Sequence, residues 1–166
     1  MGLLEPHGRG RRLFRRDALN GPAPAAFVVH SLIQAIAALE AAAAAGRDIT
    51  LISAPDAGIY AGPGWFKAVI KAARAAEPSA RFSAILDCGD DAGAAQGALR
   101  AGLETVIFTG RTDVAERLVG IAAAKGVRIL TARPSDALDL GRLFFADVET
   151  LRRHCADRLA SYRPIC

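Results

Sequence analysis

Residues 81 to 110 read RFSAILDCGDDAGAAQGALRAGLETVIFTG, and this stretch sets the architecture. Phe82 to Leu86 is a mostly apolar run, the pattern of a strand covered on both faces. Asp87-Cys88-Gly89-Asp90-Asp91 supplies a turn and an N-cap, Asp90 or Asp91 being the capping carboxylate. A short helix of small residues then runs to Ala101-Gly102, and Thr105 to Phe108 makes the next strand. A helix joining two strands makes them parallel, which places Asp87 and Thr109 together at the carboxyl edge of one sheet. Ligands of α/β sheets bind at that edge.

The same alternation extends both ways. Upstream, Ala26 to Val29 and Ile49 to Ile52 are strands. Ser31 caps a helix striped by Leu32, Ile33, Ile36 and Leu39, which passes through an alanine run and stops at Gly46. Residues 57–64 form the longest irregular strand-to-helix connection and hold Tyr60, with Trp65 next to them as a lid or an edge cover. Phe66, Val69, Ile70 and Ala73 mark the helix that follows. Downstream, Thr112 is expected to cap a helix closed by Lys125-Gly126, and Val127 to Thr131 is a fifth strand. Arg133-Pro134-Ser135-Asp136 is read as opening a short helix to Leu140-Gly141, and Leu143-Phe144-Phe145 as a sixth strand. Val148, Leu151, Cys155 and Leu159 stripe a terminal helix capped by Asp147.

Strands alternating with helices predict an α/β domain with a mainly parallel sheet of five or six strands. Two arrangements satisfy that pattern: an open, flavodoxin-like three-layer sandwich, which is favoured, and a partial TIM-type barrel. The expected organisation is a basic, flexible tail and linker over residues 1–24 and one domain over residues 25–166. Residues 1–16 carry five arginines against Glu5, while the rest of the chain is balanced, so the net charge of +4 belongs to the tail. Nucleic acid is therefore not an expected partner of the domain, whatever the tail touches. Three cysteines without paired spacing argue against a disulfide framework or zinc site, and no apolar run is long enough to span a membrane. A cytoplasmic location and no metal are the expectations, and no cofactor is indicated. The apolar stripe of the terminal helix predicts a homo-oligomer, most simply a dimer.

The segments ALRAGLETVIFTG, GVRIL and PSDALDLGRLFF resemble the last barrel units of small class I aldolases of the keto-deoxy-phosphogluconate type. Members of that family act through a Schiff-base lysine just ahead of a Phe-Phe-Pro run, and the expectation here is an aldolase-like domain that is not a Schiff-base aldolase. That position is Leu143 here, ahead of Phe144-Phe145-Ala146, and Lys67, Lys71 and Lys125 fall elsewhere. The five-unit plan also resembles receiver domains of two-component signalling, in which Asp87 would be the phospho-acceptor and Thr109 the switch hydroxyl. His30-Ser31 stands where that family has its acidic pair.

The expected site is lined by His30, Ser53, Asp56, Asp87, Thr109, Gly110, Arg111, Thr112, Thr131 and Arg133. His30 and Asp87 are the residues suited to proton transfer. Gly110, Arg111, Thr112 and Arg133 suit an anion, since a helix start and a guanidinium both donate to phosphate or carboxylate. Cys88 is a thiolate beside a helix start or a small buried hydrophobe. The leading expectation is a domain that binds a small anionic metabolite. A lyase or hydrolase using Asp87 or His30 is the alternative, and a regulatory or structural interaction module a third.

Overall fold

The computed structural model describes residues 23–162; the basic tail and Cys166 lie outside the described residues. Six strands form one parallel sheet in the order β5-β4-β3-β2-β1-β6: β1 (Ala25–Val29), β2 (Ile49–Ser53), β3 (Phe82–Asp87), β4 (Thr105–Ile107), β5 (Arg128–Leu130) and β6 (Leu138–Asp139). The helices between them are α1 (Leu32–Ala45), α2 (Ala57–Tyr60), α3 (Gly62–Ala76), α4 (Ala92–Ala101), α5 (Thr112–Ala123) and α6 (Val148–Ser161).

The parallel α/β sheet is as expected, and the strand order selects the partial barrel over the sandwich. A flavodoxin-like or receiver-type sheet runs 2-1-3-4-5, whereas here β1 to β5 follow one another in sequence and β6 returns to the free edge of β1. Sequential right-handed crossovers put every helix on the same face. Accordingly Phe27, Val29, Leu51, Leu86 and Val106 pack outward against the helices, in two adjoining clusters. The alternate residues Val28, Ile52, Ile85 and Ile107 pack against each other, with Leu130 and Ala137, in a cluster that contains no helix residue. The sheet therefore curves until its inner face fills itself, as in a barrel. It does not close, because β5 and β6 are not paired.

Local signals set most boundaries. Ser31 Oγ accepts the Gln34 N–H at the start of α1, and Gly46, at φ 61°, ends that helix. Asp91, rather than Asp90, caps α4 by accepting the Ala94 N–H at 2.7 Å, and Asp147 caps α6. Four readings need correction. The connection over residues 57–64 is not irregular: α2 occupies its first half, and α3 begins at Gly62 because Pro63 has its φ preset for a first helical turn. Thr112 is the first residue of α5 and caps nothing; Arg111 holds the cap position without a side-chain bond. Residues 133–141 do not open a helix. They lead into β6, whose Asp139 accepts the Gly141 N–H and caps a short 3-10 helix over Leu140–Leu143. Leu143-Phe144-Phe145 is consequently no strand, and Phe145 is 97% exposed.

The terminal stripe also differs from expectation. Leu151, Cys155 and Leu159 are buried within the chain, the last two in the same cluster as the alanine face of α1, while Val148 is exposed. Alanines at Ala35, Ala38 and Ala42 let α6 approach closely. Ile33, placed on the α1 stripe by spacing, points outward instead. Tyr162 fastens the end of α6, its hydroxyl donating to the Ala23 carbonyl at 3.0 Å and lying 3.2 Å from Asp136 Oδ2.

Candidate functional site

The carboxyl ends of β2 and β3 converge on one ion pair. Asp87 is the last residue of β3, points to the inner side by strand alternation, and is 2% exposed. A buried carboxylate must have its lone pairs engaged. Oδ1 accepts the Gly89 N–H at 2.8 Å and the Asp56 N–H at 3.2 Å, and Oδ2 is held by the Arg133 guanidinium. Arg133 comes from the loop after β5 and spans the mouth of the open barrel, its Nη2 donating to the Ser53 carbonyl at 3.3 Å. Ser53 Oγ in turn accepts the Asp87 backbone N–H at 2.9 Å. Ser53, Asp56, Asp87 and Arg133 thus form a single network.

Glycines make that network possible. Gly89 has φ 52°, and a Cβ there would lie 2.2 Å from Asp56 Oδ1. Asp56 itself sits in the left-handed region at φ 58°, a conformation aspartate tolerates better than most residues. Tyr60, at the end of α2, stands beside the cluster. Partial burial and the fields of Asp56 and Asp87 raise its phenol pKa, against the opposing field of Arg133.

A second pair occupies the same edge. His30 directly follows β1, and its Nε2 lies 2.7 Å from Asp139 Oδ1 on β6. Burial pushes the Asp139 carboxyl upward. The bonds from Gly141 and His30, with the field of Arg133, outweigh it and hold the group below the usual carboxylate range. The stability this pair adds is thus present above the ordinary carboxylate pKa and is lost on acidification through the lower folded value. Asp139 was not among the residues expected at the site. Its only local signal is an aspartate two residues ahead of Gly141, the spacing of a small capping turn.

The remaining expected residues do not join these pairs. Thr109 and Thr131 lie at the carboxyl edge but are exposed; the Thr109 N–H donates to the Gly89 carbonyl at 2.7 Å. Gly110 packs on Phe108, where a Cβ would come within 2.5 Å of the ring. Arg111 turns onto Asp113 through two 3.0 Å bonds at the start of α5, away from Arg133. Thr112 is exposed beside it. A groove of about 760 Å³ lies elsewhere, on the outer helical face, lined by Glu40, Ala41, Arg47, Arg152 and Leu159. It is a furrow between α1 and α6 with Arg152 bridged to Glu40, and the inward-facing polar groups of the strand ends do not reach it.

Cys88 is a buried hydrophobe rather than a thiolate. Burial, followed by the fields of Asp87 and Asp91, pushes its thiol up to about 12, and burial does the same to Cys155. In a Cys166→Ser variant at pH 8, a disulfide reagent is expected to modify no thiol until denaturant opens the fold. Prompt reaction of one equivalent would show that Cys88 or Cys155 is accessible. Because both folded values lie above the ordinary thiol pKa, the stability from burying the two thiols is full below that pKa and declines as pH rises toward 12.

Among the described residues no group of three His, Cys, Asp or Glu side chains is placed to hold a metal ion, and no helix is long and apolar enough to cross a membrane. No protein-family model and no curated protein matches the sequence. Among solved structures, the chain is similar to one provisionally described as a fructose-1,6-biphosphate aldolase from Coccidioides immitis. The TM-score is 0.55 at 20% identity, covering 65% of this chain and 40% of that one. The fold is aldolase-like. At that identity the likeness is one of fold, and the chain spans well under half the length of the structure it matches.

Proposed function

We propose that the carboxyl edge of this open barrel binds a small anionic metabolite non-covalently. Arg133 carries the reading. Its guanidinium has five N–H donors, of which Asp87 and Ser53 engage two, and its side chain remains 27% exposed. The other donors have no partner among the described residues, and a guanidinium anchored on one side is pre-oriented to accept a carboxylate or phosphate on the other. An aldolase-like fold fits a small-molecule site at this edge.

Among the described residues no lysine stands at this edge for covalent aldolase chemistry. Lys67 lies on α3 with its Nζ donating to the Ala101 carbonyl, Lys71 lies one turn further along α3, and Lys125 follows α5. A second reading, acid-base catalysis, is favoured by the His30–Asp139 pair more than by Asp87, whose two oxygens are already engaged.

A panel of phosphorylated and carboxylated metabolites is expected to contain compounds that raise the melting temperature. Saturation at a hundredfold excess over Kd corresponds to about 2.7 kcal/mol. Arg133→Gln should remove the effect, and borohydride with pyruvate should leave no lysine adduct. No stabilisation by any anion would sink the proposal, and a stoichiometric adduct at Lys67, Lys71 or Lys125 would make the protein a Schiff-base enzyme.

A further inference from the structure

The geometry beside Arg133 also restricts which anion fits, granted that Arg133 grips one. His30 directly follows Val29, the register partner of Ser53 on β2, and adjacent strands lie about 4.8 Å apart. Arg133 Nη2 is 3.3 Å from the Ser53 carbonyl. The imidazole and the guanidinium therefore stand over neighbouring strand ends, a separation that a ligand of a few heavy atoms can bridge.

Asp139 holds the imidazole and Gln34 holds the backbone that carries it. Asp139 Oδ1 is 2.7 Å from Nε2 and also accepts the Gly141 N–H at 2.8 Å. Gln34, 1% exposed, accepts the His30 backbone N–H at 2.7 Å and donates to the Leu140 carbonyl at 2.8 Å, tying the end of β1 to the segment after β6. Gly141 leaves room for the ring, since a Cβ there would fall 2.7 Å from Nε2. A buried amide bonded at one end to the His30 backbone and at the other to Leu140 is a built arrangement rather than a surface accident. An ionised carboxylate only accepts, so in the neutral ring the proton sits on Nε2, which donates to Asp139 Oδ1, and Nδ1 is an acceptor. Nδ1 has no partner among the described residues and is not among the buried atoms lacking one, so it opens to solvent.

We propose that His30 and Arg133 select a small hydroxycarboxylate, whose carboxylate takes the free guanidinium N–H groups while its hydroxyl donates to His30 Nδ1. The charge around them favours a monoanionic carboxylate over a phosphate. Asp56, Asp87 and Asp139 stand at this edge, where Arg133 pairs with Asp87 and its field reaches Asp139. A dianion would add a second negative charge to that group, whereas a planar carboxylate matches the fork of the guanidinium.

The test uses matched probes, lactate against propionate and malate against succinate, with inorganic phosphate as a third, titrated into the full chain by calorimetry. Protein labelled with ¹⁵N at histidine reports the ring nitrogens, the His30 signals being assigned by their loss in His30→Gln. The hydroxylated member of at least one pair should bind at least about tenfold tighter than its partner, because a site built around a hydroxyl rejects the analogue lacking it. Only that member should move the Nδ1 resonance. Asp139→Ala, which removes the oxygen that fixes the ring proton on Nε2, should reduce the preference below about threefold while leaving binding of the plain carboxylate intact. Equal binding within both pairs overturns the inference and leaves the Arg133 anion reading standing. Phosphate binding more tightly than every carboxylate overturns the ligand class. No binding of any probe up to about 10 mM, weaker than a specific site would show, overturns both.

Discussion

Asp87→Ala is expected to cost about 3 kcal/mol, near the lower end for breaking a buried ion pair, because Arg133 keeps some access to water. The variant strands more than one partner. The guanidinium loses its counter-ion, and the Gly89 and Asp56 N–H groups lose their acceptor. For a domain of this size the melting temperature should fall by about 10 °C. Urea unfolding of Asp87→Ala, Arg133→Met and the double variant separates the ion pair from the backbone bonds. The double variant should be no less stable than Asp87→Ala alone, since it leaves no buried charge unpaired. Strict additivity of the two single losses would mean that the pair contributes no coupling, and the network described above would be geometry without energy.

Gly58→Val should be comparably damaging, at about 3 kcal/mol, for a steric reason. A Cβ at Gly58 would lie 2.5 Å from Cys88 Sγ, 3.0 Å from the Asp87 carbonyl and 3.1 Å from Cys88 Cα. Two of those three atoms are backbone at the end of β3, so the clash cannot be relieved by a rotamer change. The variant must lift α2, and with it the Asp56 N–H that Asp87 accepts. Gly64→Ala is the control: it lies in α3, and a Cβ there would meet no atom within 4 Å. Alanine at that position should be neutral or stabilising by up to about 1 kcal/mol. Equal losses at the two positions would show that helix propensity, not the packing of α2 on β3, controls the result.

Much of the architecture was legible because it is locally encoded. Apolar runs such as Ile49–Ile52 and Phe82–Leu86 announce buried strands, and Ser31, Gly46, Asp91 and Gly102 punctuate helices within a few residues of the bonds they make. Asp87 could be placed at the sheet edge because it closes such a run. What the chain does across longer separations was not legible. Arg133 was expected at the site, but its attachment to Asp87, 46 residues away, depends on how far the loop after β5 reaches over the barrel mouth. His30 was expected there too, yet its partner Asp139 lies 109 residues away in a two-residue strand too short to show any period. That strand forms because β1 offers an unpaired edge, not because Leu138 and Asp139 prefer extended backbone. The same holds for the choice between sandwich and barrel, since identical βα punctuation serves both. Amino-acid pattern determines which residues become strand, helix and turn. Only tertiary packing decides where each crossover lands, because that depends on which apolar faces close on each other across the whole chain.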